Sequence, residues 1–129
     1  MKPMAVAFPI LLSLGTGAAA ENILDAKSAD DVVPGCTRYL ALLDGQGDFT
    51  DTLENSLQNG FCVGSVVGIS EALLVTRFAC QPKAGKASDM QAVRIVVEYV
   101  NDRPERLNER FNMLAIEALS KAWPCLKPK

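Results

Sequence analysis

Residues 88–101, SDMQAVRIVVEYVN, can be read in two ways, and the choice decides the fold. The density of β-branched residues suits a buried strand. The length is that of a helix, and Ser88 followed three residues later by Gln91 has the form of a capping box. In such a box the serine oxygen accepts a first-turn amide while the glutamine reaches back to the serine's own amide. Met90, Val93, Val96, Val97 and Val100 fall at helical spacing, so the stretch predicts a helix ending near Asn101 with that stripe buried.

Downstream, Asp102 precedes Glu105 by three and Pro104 stands where a first helical turn would tolerate its missing amide. Leu107, Phe111, Leu114, Ala115, Ala118, Leu119 and Ala122 then form one apolar face, and Pro124 stops the run. With only a short polar turn between them, these last two helices are expected to pack antiparallel as a hairpin.

Upstream, Ser28 three residues before Asp31 is an acidic variant of the same start signal. It opens a first helix carrying Tyr39, Leu40, Leu42 and Leu43 and ending near Asp44, where Gly45 follows. Pro34 and Gly35 either kink that helix or mark where its ordered part begins. The acidic, glycine-punctuated segment DGQGDFTDTLEN, residues 44–55, reads as a loop. A second helix is expected over about residues 56–76, with Gly60, Gly64 and Gly68 at steps of four. Each glycine costs a helix about 1 kcal/mol against alanine, so the stripe is read as a face packed tightly inside the bundle. The fold expected is all-α, a small bundle of about four helices closed by disulfides.

The first twenty residues carry Lys2, an apolar run from Met4 to Leu14 and small residues up to Ala20, the pattern of a cleavable secretory signal peptide. Residues 21–129 are then the exported domain, with no membrane insertion after cleavage. Cys36, Cys62, Cys80 and Cys125 make an even set, which in an exported chain means two disulfides. Four helices alternating in direction bring the end of the second and the end of the fourth to one pole. That favours Cys80 with Cys125 and leaves Cys36 with Cys62, although the sequence permits three pairings.

Charge and composition exclude several classes of function. Removing Lys2 with the leader leaves 12 basic against 15 acidic residues, without long runs, so neither nucleic acid nor an anionic membrane is an expected partner. The chain has no histidine and no Cys-x-x-Cys pair, so a metal site is not expected, no cofactor is implied, and the usual base for a serine or cysteine nucleophile is missing. An enzyme is not expected.

Several spaced features resemble one family. They are Cys36 in the first helix, FCVGSVVGISEAL from Phe61, CQP from Cys80, DMQAVRIVVEYVNDRPERLNE from Asp89, and ALSKAWPC from Ala118. Over roughly residues 28–125 the chain is similar to the Rap/Tai family, periplasmic immunity proteins against peptidoglycan amidase toxins delivered by type VI secretion. It departs from the family pattern at Ser65 and Arg103, where an aromatic residue and a histidine are common. The resemblance implies a periplasmic domain that binds an amidase effector and blocks its cysteine–histidine cleft, as a homodimer. A small exported helical chaperone or an envelope interaction module is the alternative. Binding residues concentrate in loops on a rigid scaffold. The candidate contacts are therefore the turn containing Asn101, Asp102, Arg103, Glu105 and Arg106, and the acidic loop containing Asp44, Asp48 and Asp51.

Overall fold

A computed structural model describes residues 27–48 and 52–125. The leader expected over residues 1–20, its cleavage near Ala20, and Asp51 lie outside the described residues. Helices α1 (Ala29–Leu43), α2 (Leu53–Val75), α3 (Asp89–Asn101) and α4 (Phe111–Ala122) follow in order, with a 3₁₀ turn at Pro104–Arg106. Among the described residues there is no strand, only an isolated bridge pairing Ser28 with Arg110.

α1 begins where the capping box places it. Ser28 Oγ accepts from the Asp31 amide at 3.3 Å, and the Asp31 carboxylate accepts from the Ser28 amide at 3.2 Å. The next two amides, Ala29 and Asp30, donate to the carbonyls of Glu109 and Leu107, both at 2.9 Å. A first turn anchored on both sides starts the helix well before Pro34, which lies within it.

α2 begins at Leu53, three residues earlier than expected at Ser56. Thr52, inside the presumed loop, caps it by accepting from the Asn55 amide at 3.2 Å. The reading of the glycine stripe is overturned. Gly60, Gly64 and Gly68 are exposed, and a Cβ added at any of them would meet nothing within 4 Å. The close approach of backbones is at Gly35 instead, where an added Cβ would stand 2.5 Å from the Gln58 carbonyl oxygen. There α1 lies directly on α2, beside a wholly buried Cys36–Cys62 bridge whose Cα atoms are 5.3 Å apart. Gly35→Ala is expected to cost about 1–3 kcal/mol through overpacking, read as a lower urea midpoint with unchanged slope.

The β-branched stretch 88–101 is helical. Ser88 Oγ accepts from the Gln91 amide at 3.1 Å, and Val93, Val96, Val97 and Val100 are buried. Met90, the second residue of α3, is not part of the buried stripe and is 42% exposed. Together with Phe111, Leu114, Leu119 and Val66 these valines form the core.

The expected hairpin does not form. Tyr99, in the last turn of α3, touches Glu117 and Lys121 near the end of α4, whereas an antiparallel hairpin would set it against the start of α4. Asp102 caps the C-terminus of α3 and forms no N-terminal box with Glu105; α4 begins only at Phe111. The physical reason lies in the intervening carbonyls. Those of Leu107 and Glu109 bond to α1, and the Phe111 amide donates to the Lys27 carbonyl at 3.0 Å, so helical pairing across this segment is displaced by tertiary pairing. Leu107 still packs on the core, from the connection, while Ala122 is exposed at the end of α4.

At the far end of α4 the Cys80 amide donates to the Trp123 carbonyl at 2.9 Å, and Cys80 is bonded to Cys125 with Cα atoms 4.9 Å apart. Both bridges are the expected pairings, although α3 and α4 do not alternate in the way that expectation assumed. The last one pins a hook whose Trp123 is 4% exposed.

Candidate partner-binding site

The connection from Asp102 to Arg110 is held by its own side chains and by those of α3 and α4. Arg106 makes a bidentate fork to Glu109, with Nε and Nη2 each donating at 2.7 Å. The same guanidinium reaches α4, where Nη1 and Nη2 donate to the two Glu117 oxygens at 2.8 and 3.0 Å. Tyr99 closes the network, its hydroxyl donating to Glu117 at 2.8 Å and accepting from Lys121 at 3.1 Å. Arg103 stacks over the Tyr99 ring, 3.8 Å from its centroid, and donates to the Tyr99 carbonyl at 2.8 Å.

Charge-assisted bidentate bonds of this kind fix geometry as well as supplying energy. With two carboxylates already on it, Arg106 is held well above its ordinary pKa, first by the bonds to Glu109 and then by those to Glu117. The Arg106 bonds, followed by the Tyr99 hydroxyl, bring Glu117 down to about 2 from an ordinary 4.5, and Arg106 lowers Glu109 as well. A carboxylate with a depressed folded pKa contributes in full above its unfolded value and is lost as pH falls through the folded one. The clamp is therefore expected to be complete above about pH 4.5 and to open progressively towards pH 2. Amide exchange at Ala29 and Asp30, corrected for intrinsic rates, should rise over that window, and Glu117→Gln should shrink the transition to the part that Glu109 carries.

These contacts sort the candidate residues. Arg103 and Arg106 are half-buried and engaged within the chain, so they position the connection. Asn101, Asp102, Pro104, Glu105 and Asn108 are exposed along its outer edge. Beside them Ser28, Asp30, Pro104 and Glu105 border a shallow groove. The second candidate segment lies elsewhere. Asp44 caps the far end of α1 and pairs with Arg94 of α3, and Asp48 is engaged by an interaction of its own. The connection is bonded to the first turn of α1, so that helix, about 22 Å long at 1.5 Å per residue, separates the two segments. Tyr99 and Glu117, which hold the site together, carry no sequence signal that points to each other.

Chemically, the arrangement is suited to contact. All four cysteines are in disulfides, and among the described residues no group of three or more His, Cys, Asp or Glu could hold a metal ion. A helical body closed by two bridges presents a clamped, acidic-edged loop. A family model described as Rap1a immunity proteins matches residues 28–125, and the chain belongs to that family. No curated protein and no solved structure matches it.

Proposed function

We propose that this chain is a periplasmic immunity protein, exported by a cleaved leader, that protects its producer by binding a type VI peptidoglycan amidase. It performs no reaction of its own. The edge formed by Asn101, Asp102, Pro104 and Glu105 enters the amidase cleft and excludes the substrate. Two copies associate.

The observation that carries this reading is the Arg106 clamp, with Glu109 and Glu117 on one guanidinium. A loop ordered before binding loses little conformational entropy on docking, and that cost otherwise subtracts directly from affinity. Asp102 and Glu105 then offer two exposed carboxylates to donors around a cysteine–histidine cleft.

Co-expression with a peptidoglycan amidase exported to the periplasm of a Gram-negative host tests the proposal. The wild-type chain is expected to prevent lysis. Asp102→Arg with Glu105→Arg is expected to weaken binding by about 2–5 kcal/mol, enough to restore lysis, while Asp44→Ala protects normally. Full protection by the double variant would remove the connection from the interface.

A further inference from the structure

The near balance of charge over the whole chain conceals a division. Residues 72–88 and 118–129 contain Arg77, Lys83, Lys86, Lys121, Lys127 and Lys129, while all 15 acidic residues lie outside these two stretches. The fold brings the stretches together. Cys80 is bonded to Cys125, the Cys80 amide donates to the Trp123 carbonyl, and the Arg77 carbonyl lies 3.3 Å from Cys125 Sγ. In a chain of net charge −2, this pole is basic.

Its cations are not neutralised within the domain. Lys121 donates to the Tyr99 hydroxyl, but Arg77, Lys83 and Lys86 are exposed and form no ion pair among the described residues. Arg77 stands in the turn that ends α2 with a φ of 61°, the left-handed conformation for which glycine is usual. Large apolar side chains are interleaved with these charges, Val75 being 80% exposed and Phe78 74%. Arg77 and Lys86 border a hollow with Leu74 and Val75, with Glu71 on its rim, and Lys83 borders a second hollow beside Trp123. Cys80 and Gln81 line both, so the three cations belong to one surface.

Exposed apolar groups among unpaired cations on long stems suit a partner that carries negative charge over an apolar interior. An acidic protein patch fits less well, because carboxylates are recognised by cations held in fixed forks, and no side chain holds any of these three. We infer that the pole formed by residues 75–86 and the Cys80–Cys125 bridge docks on an anionic phospholipid surface. Val75 and Phe78 enter the headgroup layer, and Arg77, Lys83 and Lys86 meet the phosphates. The folded domain adsorbs, and no helix spans the bilayer. The inference rests on the proposed export, which brings the domain to such surfaces, and its test needs no amidase.

Co-sedimentation with vesicles reads it. The oxidised exported protein should pellet at low salt with vesicles of phosphatidylglycerol and phosphatidylcholine, stay in solution with phosphatidylcholine alone, and be released as salt screens the charges. Arg77→Gly combined with Lys83→Gln and Lys86→Gln should weaken binding about 100-fold, at about fivefold for each charge. Glycine suits the backbone at residue 77 and both lysines are exposed, so helical circular dichroism should be unchanged and protection against the amidase kept. Phe78→Ser should weaken binding severalfold; undiminished binding would overturn the entry of that ring. A wild-type protein that stays in solution with anionic vesicles would overturn the inference, and a triple variant that pellets like the wild type would overturn the surface. Loss of protection in the triple variant, with no vesicle binding by the wild type, would give the pole to a protein partner instead.

Discussion

Replacing both halves of the buried bridge, Cys36→Ala with Cys62→Ala, should lower stability by about 3–4 kcal/mol, the chain-entropy value for a loop of this size. The bridge closes 26 residues of chain, and both cysteines are wholly inaccessible to solvent. For a domain of about 100 residues the loss corresponds to a fall in melting temperature of roughly 15–25 °C. The second bridge closes 45 residues but is half-buried, so mild dithiol should reach Cys80–Cys125 first. Its opening releases the hook that buries Trp123, the sole tryptophan, whose emission should shift to the red before helicity falls. Simultaneous loss of both bridges should unfold the domain, because together they match the whole stability of many domains of this size.

Phe111→Ala is the second large effect. Phe111 is among the largest fully buried side chains, and its amide ties the start of α4 to Lys27. Truncation of a buried phenylalanine costs about 3–5 kcal/mol, the upper part of that range applying when the surroundings cannot collapse into the cavity. Here the neighbouring α1 start and the connection are tied by backbone bonds, which limits collapse. Equilibrium urea unfolding should show the drop. Exchange at Ala29 and Asp30 should quicken with it, because their carbonyl partners lie in the segment leading to Phe111.

How far this was legible depends on the distance over which each feature is encoded. The starts of α1 and α3 were read from Ser28 and Ser88, because a cap is a bond between residues three apart. Thr52 caps α2 by the same bond, but its position within an acidic, glycine-rich stretch masked it. The start of α4 was misplaced for the opposite reason. Asp102, Pro104 and Glu105 look like a local start signal, while the carbonyls that settle the matter are captured by α1, some eighty residues earlier in the chain. The spacing of Gly60, Gly64 and Gly68 shows that they share a face, not what that face meets. The clamp of Tyr99, Arg106 and Glu117 joins residues from two helices and their connection, and nothing in their spacing announces it. Asp102 and Glu105 are nominated for the proposed edge only because they sit in an exposed turn, whereas spacing does not distinguish the residues that make the turn rigid from surface charge.

The central claim is that a pre-ordered connection, Asp102–Arg110, meets an amidase. Hydrogen exchange on the oxidised protein, free and mixed with an inhibited peptidoglycan amidase, tests it most directly. New protection confined to peptides covering residues 101–110, on a segment already slow to exchange when free, is the result expected. A connection that exchanges freely until the amidase is added, or protection that appears only elsewhere, would contradict it.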